Sequence, residues 1–301
     1  MPTNRRRERI AIGFVGAGVV GSALALRLRQ AGYRVTAVAS RTVASAQKLT
    51  AQVEGCAAVE SPQQVADRAD LVFLTVPDDA ILDVADGVEW RTLQMVVHCS
   101  GAKSLGVLRG PQHLGAQVGA FHPLQTFSSV QAALENLPGS TVAVEAGEPL
   151  LGILRGIATD LGAESVDLPA EGRVLYHLSG VLACNYMVTL LGLAAGLWEE
   201  FGLTREQGLK ALLPLTRGTL HNIETVGIPQ ALTGPIARGD AGTIEAHIKE
   251  LEARRPDLLA VYREMALRTL PLAEEKGRLS AEAAQRIHTM LTERIAEERH
   301  A

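Results

Sequence analysis

Two sets of residues in this chain have types and spacings that could do chemistry. In the first, Gly16, Gly18 and Gly21 follow the apolar run Ile10–Val15 in the order G-x-G-x-x-G, with Ser22-Ala-Leu-Ala-Leu at helical spacing behind them. A glycine at 16 permits a tight exit from a strand. One at 18 lets the backbone approach phosphates with no Cβ between, and one at 21 lets the next helix lie close to the strand. The helix N-terminus would then face the anion. Gly16-Ala17-Gly18-Val19-Val20-Gly21 is therefore read as a pyrophosphate cradle for a dinucleotide. About 20 residues further on, where an acid usually holds the ribose of NAD, Val35-Thr-Ala-Val-Ala leads to Ser40, Arg41 and Thr42. Two hydroxyls and a guanidinium suit a 2′-phosphate, so the expected cofactor is NADP.

The second set lies where apolar runs end, because ligands of open parallel sheets sit beyond the carboxyl ends of the strands. Val76-Pro77, Ser100-Gly101 and the segment Phe121-His122-Pro123-Leu124-Gln125 occupy such places. Val76, Pro77, Ser100 and Gly101 are expected against the cofactor, and His122 where a nicotinamide ring would be approached. Opposite them, Val174 to Trp198 holds no charged residue. At 100° per residue Arg173, His177 and Asn185 fall on one side of that helix and form a polar stripe. His122, Asn185 and His177 are the catalytic candidates. Arg173, Gln125, His221 and Arg238 are the candidates for binding substrate. His98, His113 and His122 lack ligand spacing, and no metal site is expected.

The elements that must position these residues are legible in outline. Ile10–Val15, Arg34–Ala39, Asp70–Val76, Met95–Cys99, Gln117–Phe121 and Thr141–Glu145 read as strands alternating with helical patterns, which implies an α/β fold, a Rossmann-type parallel sheet. From about residue 166 the pattern is helix after helix. The expected organisation is a solvated tail over 1–8, an NADP-binding domain over 9–165 and an all-α domain over 166–301 used for dimerisation and substrate binding. Residues 297–301 are expected to fray. The basic Arg5-Arg-Arg-Glu-Arg9 before an apolar run imitates a secretory leader, but glycines in cofactor spacing and the following Arg27 and Arg29 argue against one.

With 301 residues, 47% hydrophobic but 4% aromatic, and a formal net charge of −4, the chain has the bulk for two domains and no basic surface for nucleic acid. Cys56, Cys99 and Cys184 are far apart with no C-x-x-C, which favours a reducing, cytoplasmic setting. The uncharged helix is long enough for a bilayer. Its polar residues and glycines favour instead a core helix, covered on all sides by its own domain and by the partner subunit of a homodimer, with no membrane.

Five motifs carry a family resemblance: Gly16-Ala-Gly-Val-Val-Gly21, Val97-His-Cys-Ser-Gly101, Gly119-Ala-Phe-His-Pro-Leu-Gln-Thr-Phe127, Tyr176-His-Leu-Ser-Gly with Asn185-Tyr186, and Ala231-Leu-Thr-Gly-Pro-Ile-Ala-Arg-Gly-Asp240. The chain resembles Rossmann-like oxidoreductases with a C-terminal helical domain of unknown function, related to pyrroline-5-carboxylate reductases and the 6-phosphogluconate dehydrogenase-like group. That resemblance implies an NADP-binding domain, a helical dimerisation domain and an active site between them. Cousins that act on β-hydroxyacids use a lysine from the central helix, whereas this chain has no lysine between Lys103 and Lys210. His122, His177 or water then becomes the proton donor. The expected activity is hydride transfer between nicotinamide and a carbonyl or imine carbon of a small carboxylate-bearing metabolite. A non-catalytic NADP(H)-binding redox sensor is the alternative, distinguished by a plugged cleft.

Overall fold

The computed structural model describes residues 10–298 and divides them into two compact units, one ending at Tyr186 and one starting at Met187. The expected tail over 1–8 lies outside the described residues, as do 299–301 of the expected frayed end.

The first unit is built on strand β1 (Ala11–Val15), helix α1 (Val19–Gln30), β2 (Arg34–Ala39), α2 (Val43–Thr50), β3 (Ala57–Val59), α3 (Pro62–Ala66) and β4 (Leu71–Leu74). It continues through α4 (Ile81–Asp86), β5 (Met95–His98), α5 (Arg109–His113), β6 (Gln117–Leu124), α6 (Val130–Asn136), β7 (Thr141–Ala146), α7 (Leu150–Asp160) and β8 (Glu164–Asp167). The strands form one sheet in the order β3-β2-β1-β4-β5-β6-β7-β8. The central strands β1 and β4 are buried throughout, on both faces, as strands covered by helices must be. On one face Phe14 stacks on Phe73 with centroids 5.3 Å apart, and Phe73 meets Phe121 edge-on at 5.7 Å. Val15, Val72, Leu74, Val96 and Val118 fill the other.

Three features differ from the sequence reading. The sheet is mostly parallel, since β7 runs antiparallel to β6. The strands β3 and β8 are additional. The first is apolar but only three residues long, too short a run to read, and every residue of the second is exposed. β6 also runs on to Leu124, because its pairing with β7 continues to Leu124↔Thr141 although its pairing with β5 stops at His98↔Ala120. Pro123 costs little there, since β6 beyond Ala120 has a partner on one side only.

The unit closes with α8 (Arg173–Gly180) and a π turn over Val181–Asn185 that leads into α9 (Tyr186–Gly196). The division after Tyr186 lies 21 residues beyond the 165 boundary read from the sequence, because α8 is tied to the sheet through Arg173. Arg173–Phe201 is the one helical stretch among the described residues long and apolar enough to cross a membrane by length and composition. It is not a helix buried within its own chain: Val174 is 66% exposed, Leu175 70% and Val188 71%.

In the second unit, α10 (Arg205–Val226) starts at a capping box in which Thr204 Oγ1 accepts from the Gln207 N–H and the Gln207 side chain accepts from the Thr204 N–H. After α11 (Pro235–Arg238), helices α12 (Ala241–Arg254), α13 (Leu259–Glu275) and α14 (Ala281–Glu298) share a core of Ile244, Ile248, Leu270, Ile287 and Leu291.

Candidate active site

Two cavities open at the carboxyl ends of the strands of the first unit. One, of about 640 Å³, lies where the strand order reverses between β1 and β4, and is lined by Gly16, Ala17, Gly18, Ser40, Arg41, Thr42, Val76 and Pro77 among others. Gly16 has φ +111°, and a Cβ there would strike the Thr75 carbonyl. At Gly21 a Cβ would strike the Gly16 carbonyl and Thr75 Oγ1, so this glycine sets the approach of α1 to the sheet. At Gly18 a Cβ would meet nothing within 4 Å, so the open space lies on that side of the turn. Gly18 is also the N-cap of α1 and brings no side chain to its orphan N–H groups, which leaves them for a ligand. Val19 and Val20 stand in that first turn and are absent from the lining. The lining acid, Glu60, follows β3, and the end of β2 itself carries none. These residues fit a dinucleotide with its pyrophosphate at the N-terminus of α1, and a 2′-phosphate beside Arg41 with Ser40, Thr42 and Ser45 supplying hydroxyls.

The second cavity, of about 650 Å³, is lined by His122, Leu124, Gln125, Thr126 and Phe127 from β6 and its exit, and by His177, Ser179, Cys184 and Asn185 from α8 and the π turn. The three catalytic candidates are therefore in one cavity. The 100° projection that grouped them assumes an unbroken α-helix, whereas the wider π turn changes the phase before Asn185. Single π turns of this kind are frequent at functional sites. His122 reaches the sheet edge because β5 has already ended, not because β6 ends there.

A short polar chain joins the two cavities. Pro77 lines the first, and the next residue, Asp78, accepts a 2.7 Å hydrogen bond from Ser100 Oγ. Ser100 Oγ also accepts from the N–H groups of Ala102 and Lys103, so Ser100 is a loop junction, and neither Ser100 nor Gly101 is on the lining of the first cavity. Gly101 follows. A Cβ there would lie 2.7 Å from both His122 Nε2 and His177 Cδ2, so a glycine is required for the two imidazoles to meet this loop.

Arg173 corrects a substrate-binding expectation. Its side chain is 1% exposed, Nε and Nη2 donate to Glu145 Oε2 at 3.0 and 2.5 Å, and Nη1 donates to the Ser100 carbonyl at 3.2 Å. A guanidinium so occupied holds the loop and α8 to β7 and has no fork left for a substrate carboxylate. Gln125 is similarly engaged, donating to the Asn136 carbonyl and accepting from the Thr126 N–H, though it stays on the lining. His221 and Arg238 are exposed in the second unit, Arg238 at 3.8 Å from Asp240, and neither lines this cavity.

Burial, the neighbouring His177 and Arg173 lower the pKa of His122 to about 4, so its imidazole is neutral at physiological pH. His98 is lowered to about 4 mainly by burial; its Nδ1 accepts from the Ser100 N–H and its Nε2 is buried without a partner among the described residues. Tyr176, absent from the sequence candidates, places its hydroxyl 3.0 Å from His122 Nδ1 and 3.3 Å from the His122 carbonyl oxygen. The i to i+1 step from Tyr176 to His177 hid it, since adjacent helical residues diverge and only the sheet brings both rings to His122.

Residues 2–123 match the family model of a Rossmann-like domain, and residues 140–269 match a domain of unknown function, DUF2520. A provisionally assigned NADP oxidoreductase from Bacteroides fragilis is 28% identical over 87% of this chain and 97% of its own, with a TM-score of 0.71. The 1-pyrroline-5-carboxylate reductase of Streptococcus pyogenes shares the fold at 18% identity and a TM-score of 0.61, covering 88% of this chain and 98% of its own. An 81-residue stretch is 40% identical to a mitochondrial 3-hydroxyisobutyrate dehydrogenase-like protein of Arabidopsis thaliana, spanning 25% of this chain and 23% of that protein. The chain thus matches a Rossmann-like model and, after it, a DUF2520 model, in that order.

Proposed function

We propose that this protein is an NADP-dependent oxidoreductase that moves a hydride between the nicotinamide and a carbonyl or imine carbon of a small metabolite. The observation that carries this reading is the second cavity: His122, His177 and Asn185 line one open space, and Gly101 ties it through Ser100 and Asp78 to the loop that lines the glycine-rich cradle. Homology to the Bacteroides fragilis protein supports the oxidoreductase class. Bound NADP supplies or accepts the hydride; the chain positions the partner and manages its polar atom. Arg41 with Ser40 and Thr42 would hold the 2′-phosphate. Asn185 would orient the reacting group, and His122 would meet its heteroatom. An open cavity with converging polar groups favours catalysis over the sensor alternative, which needs no room for a substrate.

The carboxylate expected on the substrate has no partner in this cavity, whose lining includes neither Lys nor Arg. The lining has no Asp or Glu either, so the part of the substrate seated here carries no charge that these side chains would pair. We propose a homodimer, in the cytoplasm, in which a partner subunit covers the apolar face of Arg173–Phe201. The test is a spectrophotometric screen of ketones, keto acids and cyclic imines with NADPH. NADPH oxidation by a ketone or imine supports the reading; absence of cofactor binding at the glycine-rich cavity rejects it.

A further inference from the structure

We propose that this site takes a carbonyl compound whose C=O is flanked by uncharged groups, at least one of them hydrocarbon, and that Leu124, Phe127 and Val181 select it against keto acids and charged amines. This deepens the reading of the second cavity given above and rests on it. All three residues stand on the lining, Leu124 and Phe127 at the end of β6 and its exit, Val181 in the π turn.

Charge is the first discriminator. The lining holds no Asp, Glu, Lys or Arg. Of the charges behind it, the Arg173 guanidinium is bound to Glu145, and Arg173 and Asp78 act on the His122 imidazole with opposite signs. No net positive field is left to draw in an anion, and no carboxylate faces the cavity to hold a cation. A carboxylate entering here would give up water without meeting a cation, and an ammonium would do so without meeting an anion. That transfer costs an ion far more than it costs a neutral polar group.

The polar side chains on the lining are partly committed to the chain itself. Ser179 Oγ donates to the Tyr176 carbonyl at 2.6 Å, and Gln125 donates to the Asn136 carbonyl and accepts from the Thr126 N–H. The imidazoles of His122 and His177, brought together at Gly101, stand on the same lining as neighbours for a carbonyl oxygen. Leu124, Phe127 and Val181 add hydrocarbon surface, and apolar walls with a few placed polar groups are what a small neutral ligand needs. Room for a substituent lies between β6 and α8. At Gly180 a Cβ would come within 3.2 Å of Leu124 Cδ1 and meet no other side chain beyond its chain neighbours. In the reaction the carbonyl carbon receives a hydride from NADPH and gains a C–H bond, the C=O π pair moves to oxygen, and that oxygen takes a proton from water. Ketone, NADPH and one proton thus give alcohol and NADP.

Two matched pairs test this: pyruvate and benzoylformate, each against its methyl ester, which keeps the keto group and removes the charge. With the full-length protein at neutral pH, oxidation of NADPH should give a kcat/KM at least about thirtyfold higher for each ester than for its acid. Methyl benzoylformate should lead methyl pyruvate by about tenfold or more, since its ring covers apolar wall that a methyl group leaves bare. Val181→Arg, which sets a cation on the lining, should cut the ester preference by about tenfold or reverse it. Gly180→Val should lower kcat/KM for methyl benzoylformate more than for methyl pyruvate, with NADPH affinity unchanged. Equal or greater activity on the acids overturns the proposal, as does turnover of cyclic imines with none of the esters, and both outcomes keep the oxidoreductase reading. A protein that binds NADPH and reduces neither member of either pair overturns the proposal as well. The wild-type ratio decides even where a variant does not fold. Absence of NADPH binding rejects instead the reading on which the proposal rests.

Discussion

We propose that cofactor choice turns on Arg41. It lines the nucleotide cavity between two hydroxyl residues, and nothing at the end of β2 would repel a 2′-phosphate. Losing one charge-assisted hydrogen bond costs about 1.5–3 kcal/mol, so Arg41→Ala should weaken NADPH binding by about ten- to a hundredfold and leave NADH nearly unaffected. Fluorescence titration of both cofactors measures this, and equal wild-type affinities would discard the assignment. His122→Ala should lower turnover of an accepted substrate by at least about tenfold without changing NADPH affinity, as steady-state and binding measurements would show. His122, His177 and Asn185 were legible because each is a polar residue in an apolar run, which demands a reason. Tyr176, Glu145 and Asp78 were not, since their roles come from partners 22 to 54 residues away that only the folded sheet supplies.

At the scale of elements, the loop after β5 and the π turn shape the substrate cavity. Gly101→Ala would press a methyl group between His122 Nε2 and His177 Cδ2, each 2.7 Å from the added carbon, in a place where the opposing rings are held by β6 and α8. We expect turnover to fall sharply with the far-ultraviolet spectrum and NADPH affinity near wild type, because the nucleotide cavity lies on other loops. Normal activity in this variant would mean that the loop moves aside freely. The parallel order around β1 was readable from apolar runs and glycine spacing. The reversed β7 was not, because a strand's residue pattern is alike in either direction and its direction is set by the connection it makes. The π turn escaped for a related reason: a helical projection at constant angle has no means of registering an extra residue.

Over the whole molecule, two neutral histidines make stability depend on pH. His98 and His122 are lowered from 6.5 to about 4 in the folded protein, so as pH falls the unfolded chain takes up these protons first. Their stabilisation is complete above about pH 6.5 and is lost progressively toward pH 4, by up to about 3 kcal/mol for each histidine at about 1.4 kcal/mol per pH unit. Urea midpoints at pH 7.5 and 4.5 would register this, and His122→Gln should flatten part of the slope; equal midpoints would contradict it. The exposed Val174, Leu175 and Val188 lead us to expect a dimer at micromolar concentration by light scattering. A monomer there would count against it.

The Arg173–Glu145 pair also determines where the chain can be divided. From the sequence pattern alone a fragment stopping near 165 is the nucleotide-binding piece, although the last strand runs on to Asp167. Such a fragment keeps the Glu145 carboxylate, 15% exposed, and discards the cation that neutralises it. Breaking a buried ion pair by removing one partner costs about 3–5 kcal/mol, a large share of the stability of any domain. A fragment carried to Tyr186 retains the pair, the Ser100 anchor and His122 and His177 together. In swaps between homologues, a crossover at about 186 should therefore give folded hybrids where one at about 165 gives aggregates, and the seam for exchanging parts of this protein lies inside its longest apolar helix.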